Sequence, residues 1–381
     1  MKIHILTSCF YPELHPRAFR AFELARAFAR QGDDVLVSVL TQVNGIDYKK
    51  MQEEYGFRVD VLGIYQREIG ETGQTGLSFN STNPVLQLMH RLFRLGVEYF
   101  LAGNLFHHAR KIADQITISE DTDLFIALST PFMNILAGAI FRRKQHLPNT
   151  CFIADSGDPF SGSEQYKHAA YMKNIERRTY KEYNYITIPT PNAKRSYLKV
   201  AEENKLKIIP QGFNFNDTPI ACYKKNNIPT FAYAGVFYKD IRNPEFLLQY
   251  LSNIEADFRF LVFLRHHDED IDNMLNEYKN KLVNKIEIRY GVERNELIYK
   301  MSKCDFLVDV GNNNTTQLPS KLIDYGIAKR PVIHCTEADF NEKDFERFMQ
   351  LDFANAQPID IEEFDIKYIT RQFKDLYRER I

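Results

Sequence analysis

The chain has 381 residues, 44% hydrophobic and 13% aromatic, with a formal net charge of -1 at neutral pH. That length suits two domains of roughly 150–200 residues each, and the balanced charge argues against a general attraction to nucleic acid or acidic lipid. Five scattered cysteines, Cys9, Cys151, Cys222, Cys304 and Cys335, make no Cys-x-x-Cys pair, which argues against zinc and a disulfide framework and suits a reducing cytoplasm.

The opening MKIHILTSCF enters a strand at once, Ile3 to Leu6, without the charged segment and apolar core of a secretion signal. No apolar run reaches about 18 residues, so no membrane span is expected. After the loop SCFYPELHP comes a helix, RAFRAFELARAFARQG, ended by Gly32. Arg20 and Glu23 lie one turn apart on it, either as a surface ion pair or with Arg20 facing a ligand cleft. Val35 to Leu40 reads as the second strand. Residues 66–83 are polar and glycine-rich, as a loop over a cleft would be. A long helix opens near Pro84 and mixes leucines and aromatics with Arg91 and Arg94. It reads as a core helix with arginines at one edge, or as one lying against a membrane interface over 84–111.

Asp123 to Leu128 is a strand ending at Ser129-Thr130-Pro131. The helix Phe132 to Arg143 carries Ala-Gly-Ala, which allows close packing. The strand CFIAD then leads into DSGDPF. In a doubly wound sheet Ser129, Thr130, Asp155 and Asp158 all fall at strand carboxyl ends, where ligands bind. The helix IERRTYKEY, the strand YITIPT and a helix over 192–203 complete a first domain, with the boundary near 205 and KIIPQGFN as the linker.

In the second half, PTFAYAG is a strand, followed by a loop and a helix opening at Asn243-Pro244. FRFLVFL ends in Arg265-His266-His267. Adjacent histidines on a strand face opposite ways, so no metal pair is expected. Asp268-Glu269-Asp270 reads as a solvated helix start. Then come IEIRYGVERNEL, the apolar run Phe306 to Val310, a loop of Asn and Thr, and a helix starting at Pro319-Ser320. Arg330-Pro331 stops that helix before the strand Val332-Ile333. A helix start at the carboxyl end of a parallel strand favours a phosphate through free N–H groups and the helix dipole. Lys321 adds a full positive charge there, and Asp324, one turn on, is placed for a sugar hydroxyl. The bland reading is a strand-helix-strand unit with a solvated Lys and Asp. The strand-helix alternation of both halves predicts an α/β protein with doubly wound parallel sheets, and 365–381 reads as an amphipathic last helix.

The segment LPSKLIDYGIAKRPVI resembles the donor site of group 1, family-four-like glycosyltransferases of the GT-B fold. That resemblance implies two Rossmann-like domains facing a central cleft, over 1–204 and 205–364, with residues 365–381 crossing back to the first. Many relatives carry two glutamates with seven residues between them; Asp324 matches the second and Thr316 stands at the first. The opening is similar too, with His15-Pro16 where a Gly-Gly pair is usual, which turns His15 or Arg17 toward the cleft. The resemblance implies that Gly235, Lys239 and Arg242 grip the donor diphosphate together with Ser320 and Lys321. It implies that Gly291 and Val292 read the base through backbone groups, and that Gly212 keeps a tight turn in the linker. Asp158 lies in the family's Asp-x-x-Asp-Pro-aromatic segment and could orient or deprotonate an acceptor hydroxyl.

Taken over the whole chain, the resemblance implies a glycosyltransferase that moves a sugar from a nucleotide diphosphate donor to a saccharide or lipid-linked saccharide, in cell-surface polysaccharide or glycolipid synthesis. Retention of configuration is expected, with Lys321 and Arg242 stabilising the leaving diphosphate and no metal or other cofactor required. Asp158 is the candidate base if the reaction inverts. His15, Arg17, Arg20, Ser129, Thr130, Asp155 and Asp158 form the acceptor side. The expected location is the cytoplasm, either free or, on the interfacial reading of 84–111, in peripheral contact with the inner face of the plasma membrane. The alternatives are a nucleotide-sugar epimerase on the same fold and a catalytically silent nucleotide-sugar-binding partner protein.

Overall fold

The computed structural model describes residues 1–11, 13, 15–43, 46–67, 96, 100, 105–161, 168–239, 242–311 and 320–380. The loop expected over 66–83 beyond Arg67, most of the helix expected over 84–111, Thr316 and Pro319 lie outside them, as does the side chain of Ser320.

The chain forms two compact units: residues Met1–Phe213 with Phe364–Ile381, and Asn214–Glu363. The first holds a seven-stranded sheet, all parallel, in the order β3-β2-β1-β4-β5-β6-β7. Its strands are β1 (Lys2–Thr7), β2 (Asp34–Val43), β3 (Arg58–Arg67), β4 (Leu124–Leu128), β5 (Cys151–Asp155), β6 (Tyr185–Ile188) and β7 (Leu206–Ile208). Helices α1 (Pro16–Arg30), α2 (Tyr48–Tyr55), α3 (Leu105–Gln115), α4 (Met133–Lys144), α5 (Met172–Lys181) and α6 (Lys194–Tyr197) connect them. β4 and β5 are buried throughout, as strands covered on both faces must be. The Ala-Gly-Ala of α4 does allow close packing: a Cβ on Gly138 would lie 2.3 Å from the Tyr183 hydroxyl, which donates to Ile135 O at 2.6 Å.

The residues expected as a linker remain with this unit. Leu206–Ile208 add to the sheet beside β6, and the chain leaves only after Phe213. It returns at the same place, because Phe213 N donates to Phe364 O at 2.8 Å and Ile366 N to Phe213 O at 2.9 Å. A Cβ on Gly212 would sit 2.6 Å from Ile366 Cδ1, so this glycine is required by the approach of the last helix.

The second unit is a five-stranded parallel sheet in the order β10-β9-β8-β11-β12. Its strands are β8 (Thr230–Gly235), β9 (Arg259–Leu264), β10 (Ile286–Tyr290), β11 (Phe306–Val310) and β12 (Val332–Cys335). Its helices are α7 (Glu245–Asn253), α8 (Glu269–Lys281), α9 (Arg294–Met301), α10 (Ser320–Ala328) and α11 (Glu342–Met349). Asp268 caps α8, accepting from Ile271 N at 3.2 Å, so the acidic triplet is a helix start. The last helix, α12 (Ile366–Arg380), lies on the first unit, where Phe373 meets Phe28 edge-on at 6.4 Å and Gln31 donates to Thr370 at 2.6 Å.

In each sheet the strand order reverses once, between β1 and β4 and between β8 and β11. The carboxyl ends flanking such a reversal are where this architecture leaves room for a ligand.

Candidate functional site

β8 and β11 pair only through Phe306 with Phe231 and Leu307 with Ala232, then part. Tyr325, on α10 and fully buried, fills the gap: Ala234 N donates to its hydroxyl at 2.8 Å, and that hydroxyl lies 3.0 Å from Val308 O. This anchors α10 with its N-terminus above the carboxyl ends of both strands.

Lys321, one residue into that helix, is only 9% exposed at its side chain. Its ammonium donates to Val310 O at 2.7 Å and forms an ion pair with Asp309, and it lies 5.2 Å over the Tyr233 ring. Gly235 closes β8 at φ 153°, and a Cβ there would reach the Tyr233 hydroxyl at 2.9 Å and Lys321 Cδ at 3.6 Å. Arg242 donates to Val236 O at 3.1 Å, and its backbone pairs with Tyr238, folding the loop after β8 back on itself. Lys321, Arg242 and Gly235 therefore gather at one switch point.

The sequence places Lys321 as an open charge. In the structure a carboxylate already answers it. Asp309, 2% exposed, also accepts from His334 Nδ1 at 2.7 Å. Burial alone would raise the Asp309 carboxyl, but His334 and Lys321 hold it below the usual carboxylate range. Burial brings Lys321 down to about 8, against the pull of Asp309 and with a further push from Arg242. Asp309 and His334 are not among the residues expected from sequence, although an Asp inside the apolar run FLVDV is a visible signal that a buried partner must exist.

The other expected donor residues stand apart. Asp324 receives Arg294 Nε and Nη2 on Oδ1 at 3.0 and 2.6 Å; burial raises its carboxyl and Arg294 opposes that rise. The N–H of Gly291, at φ 60°, is committed to Leu264 O at 2.9 Å, so only its carbonyl is on offer for a base; Val292 follows, half-buried. Lys239 makes a loose surface pair with Asp270 at 3.7 Å. His267 stacks on Tyr290 at 3.7 Å and bonds Asp272 at 2.8 Å. Among the described residues no group of His, Cys, Asp and Glu is arranged to hold a metal ion.

At the carboxyl edge of the first sheet, Asp155 is the hub. Arg20 closes on both its oxygens, Arg17 Nη1 adds a contact at 3.0 Å, and Thr187 donates at 2.6 Å. Burial would raise this carboxyl, and Arg20 and Arg17 hold it down instead. Arg20 also donates to Pro210 O at 2.6 Å and Ile209 O at 3.2 Å and is 3% exposed, so neither expected reading of it holds: it makes no surface pair and is not open to a ligand. Glu23 pairs with Arg26 at 2.9 Å. Arg17 Nη2 reaches Ser129 Oγ at 2.9 Å, and that oxygen also accepts from Gly157 N at 2.9 Å. His15 serves as the N-cap of α1, accepting from Arg17 N at 3.1 Å. Thr130 sits at φ 72°, rare for a β-branched residue, and its carbonyl accepts from Ser8 at 3.1 Å. Asp158 is exposed beside this cluster. The buried carboxylate of Asp155 thus faces two guanidinium groups, and Asp158 adds a second negative charge at the exposed rim of this edge.

No protein-family model matches the chain, and no sequence among the curated proteins does. Solved structures match by fold. HepE from Anabaena in complex with UDP superposes with a TM-score of 0.56 at 12% identity, over 100% of both chains. A glycosyltransferase from Rickettsia africae gives 0.55 at 14% identity, over 99% of this chain and 98% of that one. UDP-GlcNAc 2-epimerase from Neisseria meningitidis, bound to UDP-GlcNAc, gives 0.53 at 10% identity over 100% of each. The fold is GT-B, with two Rossmann-like units, as LPSKLIDYGIAKRPVI and the strand-helix rhythm imply. At these identities the likeness is one of fold.

Proposed function

We propose that the chain is a glycosyltransferase that moves a sugar from a nucleoside diphosphate-sugar to a hydroxyl of a saccharide or lipid-linked saccharide, in cell-surface polysaccharide or glycolipid synthesis. The observation that carries this reading is the gathering of Lys321, Arg242 and Gly235 at the β8/β11 switch point of a GT-B chain. The start of α10, Lys321 and Arg242 would meet the diphosphate and stabilise the charge it gains on leaving. Configuration is retained, with the leaving phosphate helping to take the acceptor proton. In an inverting reaction exposed Asp158 is the base. Arg17, Ser129 and Asp158 form the acceptor side. No metal or other cofactor enters the reaction. The protein works in the cytoplasm, and any contact with the inner face of the membrane would run through 84–111, of which Leu105 and Ala109 are buried in the core; no helix among the described residues is long and apolar enough to cross one.

HepE was solved with UDP, so uracil nucleotides are the first donors to try. Thermal shift with UDP-, GDP-, ADP- and dTDP-sugars is the test, because a ligand of the folded state raises the melting temperature. At least one should stabilise the chain and then support sugar transfer. No stabilisation by any of them overturns the reading.

The His334–Asp309 pair beside Lys321 supports a second reading, nucleotide-sugar epimerisation, since an epimerase needs a carboxylate and a base near the sugar. A new epimer formed from UDP-GlcNAc without acceptor would decide for it.

A further inference from the structure

Lys321 cannot give its full charge to a diphosphate while its ammonium is held by Asp309 and Val310 O. Binding must draw that ammonium at least partly outward. Asp309, 2% exposed, would then be a buried carboxylate losing its counter-charge beside an arriving anion, a strongly unfavourable arrangement if left unanswered. One group is placed to answer it. His334, on β12, holds Nδ1 at 2.7 Å from Asp309 Oδ2, and its side chain is 42% exposed, so solvent protons reach the ring. Gly311 makes this seat possible, since a Cβ there would stand 2.2 Å from His334 Cε1. The charged groups that bear on the arrangement are Asp309 on β11, Lys321 on α10 and, beyond Lys321, Arg242 in the loop after β8.

Resting on the donor-site reading above, we propose that His334 is a positioning residue that takes up a proton when a nucleoside diphosphate draws Lys321 away from Asp309. The neutral ring donates Nδ1–H to Asp309. On binding, a solvent proton adds at Nε2, and the imidazolium replaces the ammonium as the partner of Asp309. No bond to the nucleotide forms or breaks. The ion pair passes from Lys321 to His334, and Lys321 is freed for the phosphates without stranding Asp309. Because the bound state holds the extra proton, affinity strengthens as pH falls.

The test is calorimetric titration of UDP, GDP, ADP and dTDP into the full chain at one pH, in Tris, HEPES and PIPES, whose ionisation enthalpies differ. The slope of observed enthalpy against buffer enthalpy counts the protons taken up. The expected result is uptake of about half a proton or more per nucleotide in the wild type. In His334→Asn, which keeps an N–H toward Asp309 but cannot take a proton, uptake at pH 7, below the point at about 8 where Lys321 itself gains a proton, should fall to a small fraction of the wild-type value. Binding without uptake in the wild type, or the same uptake in wild type and His334→Asn, overturns this inference and leaves the donor site standing. Failure of all four nucleotides to bind overturns both. If that variant folds poorly, His334→Gln serves the same comparison, and a wild-type slope of zero overturns the inference by itself.

Discussion

Arg20 closes Nε and Nη2 on the two oxygens of Asp155 at 2.6 and 2.7 Å, and reaches past them to the carbonyls of Ile209 and Pro210. The guanidinium thus ties the end of β5 to the stretch where the chain leaves the first unit. Removing one member of a buried pair costs about 3–5 kcal/mol when it strands the other, and because Asp155 keeps Arg17 and Thr187 the lower end, about 3 kcal/mol, applies here. Arg20→Met should lose that much stability in urea unfolding while nucleotide affinity at the second unit stays within about twofold. A loss of affinity with stability intact would make Arg20 a ligand-binding residue after all.

Asp309 and Lys321 predict a related asymmetry. Lys321→Met leaves a buried carboxylate with His334 alone and should destabilise by about 3 kcal/mol. The double variant Lys321→Met with Asp309→Asn should recover more than half of that loss. Unfolding of the single and double variants compared in a cycle gives the coupling directly.

Glycine contacts give a prediction free of charge effects. Gly138→Ala brings a methyl to 2.3 Å from the Tyr183 hydroxyl and 3.0 Å from Phe125 Cε1, inside a packed core. Overpacking of this kind costs about 1–3 kcal/mol, and Tyr183→Phe in the same background should relieve part of it. A neutral Gly138→Ala would mean that α4 can move off the sheet.

His4 sets the acid limit. It is 2% exposed, stacks on Phe125 at 5.2 Å, and burial, with Arg58 adding to it, lowers its pKa from 6.5 to about 3. Below pH 6.5 the unfolded chain binds a proton there that the folded chain refuses, so stability falls as pH drops from about 6.5 toward 3, by roughly 3–5 kcal/mol in all. His4→Leu should flatten the urea midpoint between pH 7 and 5. An unchanged slope would mean that other groups govern acid unfolding.

Much of this was legible in the chain. The apolar runs of β1, β4, β5, β8, β9 and β11 mark buried parallel strands, and α10 is described from Ser320, where the sequence puts a helix start. The edge strand β3 is absent from the sequence reading, because the alternation of RVDV breaks at Leu62-Gly63. β7 has three residues, too few to show a period, so the exit from the first unit falls later than a linker motif suggests. The site was legible as residue types at strand ends. Its wiring was not, because Asp155 and Arg20, like Asp309 and His334, lie far apart in sequence and meet only through sheet order. The period of a strand says that Asp309 is buried; nothing local says which base answers it.

The central claim is that the β8/β11 edge holds the diphosphate of a nucleotide donor, and titration of the best-binding nucleoside diphosphate into wild type, Lys321→Ala and Arg242→Ala tests it most directly. Each substitution should weaken binding by roughly 1.5–3 kcal/mol, about 10- to 150-fold, the scale of a hydrogen bond to a charged group. Lys321→Ala should fall at the upper end because it leaves Asp309 facing the phosphates. Equal affinity in all three proteins would contradict the assignment.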